Sequence, residues 1–464
     1  MFLDLSTDLL EAINKELDSS DQARLRAVCR ELDGASRHVF FSRLVLRTGE
    51  HISGLRRGES DLELLRALAA GKTGWNAHVR KIDFVPGPYV GPERKKKLSF
   101  LRLGKEKKRQ ARQREVEVLF QSALSKVMNV RAISWKVAQY EDPLWQREAI
   151  ANFISRAPAL EEFGLDMIHI SLDSFPVPSA RGLRKLDLTV YPWPRSDDNA
   201  GQYNSITQLI AAQEHLTCLV LNGPVQWTEL WVALREAQIH LAEITTTIVS
   251  PDLFKYLLSY TGLRKLDLGC QDAGSQAGND RLADTFHETV LPHHADSLVE
   301  LSCPGRYESR FSFGAHNMHV ISQLPQLTSL AMSLNSAARE STYSQSSESL
   351  VYTEIEPTSV NLLLDTASNL PTLRNLTIHA ADSDRFRNMC CCGYDSVRNL
   401  RELQKTSITR SLREFRCAGE NRLEVHVGEE VYGLRLVDSV GVCQGGTFYE
   451  YYLKSKIPSL ESCC

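Results

Sequence analysis

The feature that most constrains the fold is an apolar pattern that returns along most of the chain. The hexapeptide LRKLDL occurs at 183–188 and again at 263–268, and both copies follow the pattern apolar-x-x-apolar-x-apolar. The copies are Val79/Ile82/Phe84, Val130/Ile133/Trp135, Leu160/Phe163/Leu165, Leu183/Leu186/Leu188, Leu216/Leu219/Leu221, Leu241/Ile244/Thr246, Leu263/Leu266/Leu268, Leu298/Leu301/Cys303, Leu327/Leu330/Met332, Leu373/Leu376/Ile378 and Leu412/Phe415/Cys417. Such self-similarity indicates a stacked repeat architecture.

The spacing inside each copy predicts a short strand. The last two apolar positions are two residues apart, so they point to the same side of an extended chain. Between the copies, apolar residues at three-and-four spacing predict amphipathic helices at 149–157, 205–212, 251–259 and 359–369. Because strands alternate with helices, we expect parallel strands joined by right-handed crossovers.

The alternation predicts an α/β fold whose units stack as an open solenoid, with strands on the concave side and helices on the convex side. Over residues 76–420 this pattern resembles an irregular leucine-rich-repeat array. The repeats vary in length, and no asparagine ladder follows the third apolar position. A doubly wound α/β sheet is the alternative, although the eleven copies would be many strands for a single open sheet.

Residues 1–46 have a different, helical periodicity. Leu9, Leu10, Ile13 and Leu17 form one apolar stripe, and Ser6 or Thr7 can cap the helix that carries it. A second helix is predicted to open at a capping box of Ser19 and Gln22, and to end at Asp33-Gly34. Its apolar stripe comprises Leu25, Val28, Cys29 and Leu32. A third short helix is predicted over 35–41. Three helices this short cannot bury all their apolar surface among themselves, which favours a partner-binding face.

These residues resemble an F-box in order and spacing. The matching positions are Leu5, Leu9, Leu10, Ile13, Leu17, Asp21, Leu25, Val28, Cys29 and Arg30. The segment RHVFFSRLVL then resembles the exit strand of that family. Ser6 stands where the family commonly has proline, and Gln22 where it commonly has leucine. A helical cap that seals the first repeat is the structural alternative.

The resemblance implies a substrate receptor of an SCF-type ubiquitin ligase. Such a receptor docks on the Skp adaptor subunit and, through it, on the cullin scaffold. The adaptor-binding residues would be Leu5, Leu9, Leu10, Ile13, Leu17, Leu25, Val28, Cys29 and Arg30. The receptor performs no chemistry itself; it raises the concentration of target lysines near an activated thioester. A repeat scaffold unrelated to ubiquitin is the second hypothesis.

The candidate target-binding residues lie between the apolar positions of the predicted strands, and so face the concave side. They are Lys185, Asp187, Asn222, Lys265, Asp267, Glu300, Asn375 and His379. Both signs of charge occur among them, which suits a protein target better than a uniform polyanion. After Glu420 the pattern changes to strand-like runs separated by glycines. Residues 421–464 are therefore predicted to form an antiparallel β cap.

Composition excludes several other function classes. The net charge is −3 with 24% charged residues, so nothing favours a nucleic acid or a membrane as partner. Eleven cysteines and an acidic N-terminus without a signal peptide predict free thiols and a cytoplasmic or nuclear location. The segments GKT at 71–73, His287-Glu288 and Cys390-Cys391-Cys392 each lack the spacing of a nucleotide or metal site. We expect no catalytic residue, metal or cofactor.

Two biased segments complete the domain plan. Residues 47–75 are predicted to connect the helices to the repeats by a helix or loop. Residues 91–114 form a basic insertion, within which the run 94–114 is either a solvated surface or a nuclear-import signal. The Ser-rich stretch 333–359 is predicted to be a flexible loop and a possible phosphorylation target.

Overall fold

The structure is a computed structural model. It describes residues 5–49, 59–87, 102–138, 143–168, 175–191, 204–269, 274–336, 355–383, 386–387, 394–417, 423–437 and 448–456. The chain divides into two compact units, Met1–Val225 and Gln226–Cys464. Within the described residues, no helix has the length and apolar character needed to cross a membrane.

The first unit begins with helices and continues as alternating strands and helices. Its elements are α1 (Thr7–Glu16), α2 (Ser19–Arg26), α3 (Arg30–Phe40), β1 (Arg43–Thr48), α4 (Glu59–Ala69), α5 (Trp75–His78), β2 (Lys81–Pro86), α6 (Arg102–Ser125), β3 (Ala132–Ala138), α7 (Leu144–Arg156), β4 (Glu162–Ile168), β5 (Lys185–Tyr191), α8 (Asn204–Ala211) and β6 (Cys218–Asn222).

The strands of the first unit, β1 to β6, pair in chain order and are all parallel. Their register places the repeated apolar residues in two buried rows. One row is Leu44, Ile82, Ile133, Phe163, Leu186 and Leu219, and the next is Leu46, Phe84, Trp135, Leu165, Leu188 and Leu221. Because the rows run continuously from strand to strand, each unit of the repeat buries its apolar face against its neighbours.

The second unit continues the alternation and then changes strand direction. Its elements are α9 (Thr228–Glu236), β7 (Glu243–Thr246), α10 (Pro251–Leu257), β8 (Lys265–Asp267), α11 (Gln276–Thr285), a π-helical turn (Phe286–Val290), α12 (Leu291–His293), β9 (Glu300–Cys303), α13 (Met318–Ile321), β10 (Ser329–Leu334), α14 (Pro357–Ser368), β11 (Asn375–Ala380), α15 (Tyr394–Glu414), β12 (Arg416–Cys417), β13 (Glu424–Val427), β14 (Glu430–Val437) and β15 (Phe448–Lys456).

In the second unit, β7 to β11 and then β13 are parallel neighbours. The buried row through them is Ile244, Leu266, Leu301, Leu330, Leu376 and Val425. Beyond β13 the strands β14, β15 and β12 follow as antiparallel neighbours. The prediction of a mixed α/β fold with mostly parallel strands is confirmed.

One predicted repeat is wrong, and one repeat was missed. Leu412 belongs to α15, and the two-residue strand that follows pairs antiparallel with β15. The parallel position next to β11 is taken by β13 instead, which buries Val425 and Val427. Conversely, β1 is a parallel strand that adds a further copy of the pattern, Phe41/Leu44/Leu46, before the first copy predicted. A boundary at residue 46 therefore falls inside β1.

The basic and Ser-rich segments are only partly described. Residues 102–114 form the first half of α6, whose second half buries Val116 and Phe120. The prediction of an insertion over 91–114 is thus wrong for its last part, which is continuous with a packed helix. Residues 91–101 lie outside the described residues. Of 333–359, the first two residues belong to β10 and the last three to α14, while 337–354 lie outside the described residues.

Candidate functional site

The first candidate site is the surface of α1, α2 and α3. These helices pack around Leu10, Leu32 and Ala35, with Leu5 and Leu25 against the cluster. A cluster this small leaves other apolar side chains of the helices in solvent.

Capping in the first two helices differs in part from the prediction. Ser6 caps α1, as predicted, because its hydroxyl accepts a hydrogen bond from the Leu9 N–H at 3.4 Å. The prediction that Ser19 opens the second helix is wrong. The cap is Asp18, whose carboxylate accepts from the Asp21 N–H at 2.8 Å.

The second helix is also shorter than predicted, since α2 ends at Arg26. Val28 and Cys29 lie in the link to α3, and Leu32 and Gly34 lie inside α3. The side chain of Asp33 connects the two helices across this link. Its carboxylate accepts from Arg26 at 2.8 Å and pairs with Arg37, so the end of α2 is held to the start of α3. The single apolar stripe predicted over residues 25–32 is therefore divided between two helices.

Gln22 has a local structural role. Its Nε2 donates to the carbonyl oxygens of Asn14 at 2.8 Å and Leu17 at 2.9 Å. These carbonyls lie at the C-terminal end of α1, where the last backbone acceptors of a helix need partners from outside its regular ladder. The Asn14 carbonyl also accepts from the Leu17 N–H at 3.3 Å. The amide therefore joins α2 to the C-terminal end of α1, a bond that leucine cannot make.

The nine predicted adaptor-binding residues fall into two sets. Leu10 is buried and Leu5, Leu17, Leu25 and Cys29 are half-buried. Of these five, all except Leu17 belong to the cluster that holds the helices together. Leu9 is 53% exposed, Ile13 36% and Val28 69%, and Arg30 is also exposed. Leu9 and Ile13 lie four residues apart on α1, which places them on one helix face. These exposed side chains can contact a partner without disturbing the core.

An aromatic cluster that the sequence reasoning missed connects the helices to the sheet. The ring of Phe41 lies 5.0 Å from that of Phe40 and 4.8 Å from that of Trp75. Trp75 Nε1 donates to the carbonyl of Arg43 in β1 at 3.0 Å. Aromatic pairs of this kind contribute beyond their burial. The paired phenylalanines between a helix and a strand were the available signal.

The second candidate site is the strand face opposite the buried rows. In the first unit it carries Lys185, Asp187 and Asn222, which were predicted there. Lys185 is exposed, and the other two are half-buried. Asn222 donates to the Thr189 hydroxyl at 3.3 Å. Asp166 on the neighbouring strand β4 joins them, because Asp166 pairs with Thr189 in the register.

Partial burial makes two carboxyl groups on this face weaker acids than usual. Burial raises the pKa of Asp166, against the opposite effect of Lys136. Burial also raises the pKa of Asp187, with Lys185 lowering it and Asp166 raising it further. Two desolvated carboxylates beside two lysines present both charges to a partner.

In the second unit the same face carries Lys265, Asp267, Glu300, Asn375 and His379. Lys265 Nζ lies 2.8 Å from Glu300 on the next strand, and this hydrogen bond raises the pKa of the lysine. Asp267 is partly structural, because its carboxylate accepts from the Gly269 N–H at 3.0 Å. His379 is exposed on the strand face, yet desolvation by neighbouring groups lowers its pKa, against the opposite effect of Asp267. The strand-face residues are thus spread over both units.

Two buried histidines in the second unit are structural. Asn317 Nδ2 donates to His287 Nε2 at 3.1 Å, while the Gly314 N–H donates to Asn317 Oδ1 at 3.0 Å. The bond from Gly314 fixes which end of the Asn317 amide faces the histidine. His287 Nε2 must therefore be unprotonated to accept the hydrogen bond from Asn317 Nδ2. His294 Nε2 lies 3.0 Å from the carbonyl oxygen of Leu257. Burial lowers the pKa of His287 to about 3 and that of His294 to about 4. Among the described residues no group of side chains suits a metal ion.

Acidification from pH 7.5 to 5 is expected to destabilise the second unit. Both histidines have folded-state pKa values far below about 6.5, the value in an unfolded chain. Above about pH 6.5 both rings are neutral in the folded and in the unfolded chain, so stability is fully retained. As the pH falls, protons bind the unfolded chain first, and the free energy of unfolding decreases by up to about 2 kcal/mol for each histidine at pH 5. Thermal unfolding at several pH values measures this. The variant His215→Gln, at an exposed position of the first unit, should keep the same pH dependence, whereas a melting temperature unchanged down to pH 5 would contradict the assignment.

No protein-family profile matches the chain, and no curated protein matches it in sequence. A solved protein from Bacteroides fragilis is similar over 72% of this chain and 68% of its own, with 10% identity and a TM-score of 0.25. TLR13 in complex with ssRNA13 is similar over 66% of this chain, with 10% identity and a TM-score of 0.21. This chain covers 34% of the TLR13 chain.

Because these likenesses are distant, the fold class rests on the strand pairing. The chain has a mixed α/β fold with an open, mostly parallel sheet in each unit, consistent with a leucine-rich-repeat-like array.

Proposed function

We propose that this protein is a substrate receptor of an SCF-type ubiquitin ligase. The helices α1 to α3 bind the Skp adaptor subunit and thereby the cullin scaffold, and the strand face binds a target protein. The observation that carries the proposal is the exposed apolar pair Leu9 and Ile13 on one face of α1, with Val28 also exposed in the link between α2 and α3. Exposed apolar side chains grouped in this way favour a protein partner.

The attachment of the helices to the sheet supports the same function. Receptor action requires that a bound target be held near the ligase core, since proximity is the whole mechanism. The Phe40, Phe41 and Trp75 rings, with the Trp75–Arg43 hydrogen bond, fix α3 against β1 and restrict relative motion. A rigid connection of this kind maintains the distance between the adaptor and the first strands.

The strand face supports a protein as target. Its charged side chains are mixed in sign and partly satisfied by one another, as Lys265 and Glu300 are. Complementary mixed charge gives specificity toward a folded or peptide partner. A leucine-rich-repeat scaffold unrelated to ubiquitin uses the same face and is the second candidate.

Direct capture of the adaptor separates the two candidates. The purified chain, immobilised through a C-terminal tag, is mixed with purified Skp adaptor, and the bound adaptor is measured. A stoichiometric complex supports the receptor, and assembly with the cullin should follow. Failure to bind at micromolar concentration would contradict the receptor and favour the second candidate, a repeat scaffold unrelated to ubiquitin.

Cellular location tests the basic run. Replacing Lys95, Lys96, Lys97, Lys107 and Lys108 by Ala is expected to move a nuclear fraction of the protein to the cytoplasm, because import signals depend on clustered positive charge. Fluorescence microscopy of the tagged chain in eukaryotic cells measures the shift. A matched control replaces five exposed lysines elsewhere, Lys15, Lys72, Lys126, Lys255 and Lys456. An equal shift in the control would show that net charge alone is responsible.

A further inference from the structure

A pocket of about 540 Å³ opens in the first unit between helices α6 and α7, close to the residues where the two helices end. Its wall residue Phe153 contacts Phe84 of the buried rows, so the pocket lies on the side of the sheet opposite the strand face. Pockets that hold small molecules commonly enclose about 300–1,000 Å³. The volume is therefore sufficient for a small organic ligand.

The walls of the pocket are apolar, and part of their surface is open to solvent. Leu124 and Val127 are buried, whereas Phe153 and Ala149 are half-buried and Met128 is 60% exposed. The accessible surface of these last three side chains is aromatic, methyl or thioether in character. A ligand that covers it removes apolar surface from water, which favours binding.

The aromatic wall is held in place before any ligand binds. The ring of Phe153 lies 6.5 Å from that of Phe84 in an edge-to-face arrangement, and Phe84 is fully buried in β2. The chain that leaves α6 is also fixed, because the Val127 N–H donates to the Leu124 carbonyl at 3.2 Å. Preorganised walls reduce the entropy that binding must overcome.

Backbone acceptors near the ends of both helices are already used. The Ser122 carbonyl accepts from the Ser125 hydroxyl at 2.7 Å, and the Asn152 carbonyl accepts from Arg156 Nε at 3.1 Å. Carbonyls at a helix end otherwise require donors from outside the helix. Because these two have donors from their own helices, they are not free to pair with a ligand donor or with a peptide backbone.

The charge at the pocket is positive. Arg156 is exposed and is the one charged side chain among the described residues that line the pocket, and no ion pair of the described residues includes it. Of the acidic residues near it in sequence, Glu148 lies about two turns earlier on α7, and Glu161 lies 3.9 Å from Arg131. The terminal nitrogens of a guanidinium can bind a carboxylate with two parallel hydrogen bonds.

We propose that this pocket binds a small amphipathic carboxylate, whose apolar body lies against Phe153 and Met128 and whose carboxylate binds Arg156. The site does not depend on the proposed function, since it uses neither α1 to α3 nor the strand face. A neutral hydrocarbon would leave the guanidinium without a partner, and an inorganic anion would leave the apolar walls in water. An alkyl or aryl acid satisfies both.

Calorimetric titration of the purified full chain with octanoate tests the proposal, with octan-1-ol as the neutral ligand of the same chain length. We expect octanoate to bind at one saturable site. Octan-1-ol should bind at least tenfold more weakly, because it covers the apolar walls but lacks the charge-assisted hydrogen bonds to Arg156. Equal affinity of the two ligands would overturn the proposal and would indicate an apolar contact site for a side chain of a protein partner.

Two substitutions separate the charge from the walls. Arg156→Gln is expected to weaken octanoate at least tenfold and to leave octan-1-ol within twofold, because only the carboxylate loses its partner. The matched control is Arg235→Gln, at an exposed arginine in the last turn of α9, and it should leave both affinities within twofold. Equal octanoate affinity in the two variants would overturn the assignment of Arg156.

Met128→Asp is expected to weaken both ligands at least tenfold, because it places a charge in the apolar wall. Leu144→Asp, the same kind of change at an exposed residue that begins α7 outside the pocket, is its control and should leave both within twofold. All four substituted positions are exposed, and circular dichroism checks that each variant is folded. Absence of saturable octanoate binding, or binding that persists in Met128→Asp, would each overturn the proposal.

Discussion

Replacing Leu9 and Ile13 by Asp is expected to weaken capture of the Skp adaptor at least a hundredfold while the helices stay folded. Both side chains are exposed, so the free chain loses little when they become polar. In the complex each would place a charge in an apolar contact. Central apolar contacts commonly contribute about 2 kcal/mol or more each, and about 1.4 kcal/mol corresponds to tenfold in affinity. Titration of adaptor against immobilised chain measures the loss.

The choice of residues follows from burial. Leu10 lies in the core with Leu32 and Ala35, so Leu10→Asp would unfold the helices and report stability instead of contact. Deleting residues 1–46 would cut through β1 and expose an edge of the sheet. Val118→Asp is the matched control, since Val118 is an exposed apolar residue on α6. Undiminished capture by the Leu9 and Ile13 variant would exclude α1 as the adaptor surface.

Leu266→Ala is expected to lower the free energy of unfolding by about 2–5 kcal/mol, as truncation of a buried leucine does. Leu266 is buried in β8 and lies in register between Ile244 and Leu301, so its removal leaves a cavity in the row. In a repeat array each unit contacts chiefly its neighbours, so the damage should concentrate in β7 to β9. Denaturant unfolding gives the magnitude, and hydrogen exchange gives the location.

Three further variants separate the loss of buried packing at Leu266 from the effects of surface substitutions. Leu258→Ala makes the same substitution at a partly exposed leucine after α10 and should cost much less. Lys265→Ala breaks a surface ion pair with Glu300 and should change stability by about 1 kcal/mol or less. Asp267→Ala should lower stability more than the removal of an unpaired surface carboxylate would, because the Gly269 N–H loses its hydrogen-bond acceptor. Uniform loss of exchange protection over the whole chain in Leu266→Ala would contradict a repeat array.

The interior of the fold was predictable because burial is periodic. The rows through Leu186 and Leu266 occupy the positions that the repeated hexapeptide indicates, since a strand with one buried face must alternate. The same reasoning failed at Leu412, where an apolar residue spaced like a strand residue lies on the last turns of α15. A short apolar run cannot by its period alone distinguish a strand from a buried helix end.

What the sequence by itself determined is the repeating α/β class, the direction of the strands and the identity of most core residues. Tertiary structure alone decided which apolar residues remained available to a partner. Leu9 and Leu10 are adjacent and chemically identical, yet one is exposed and the other buried, because α3 covers only one face of α1. A sequence pattern shows which residues are close along the chain, whereas a binding site depends on which residues are close in space.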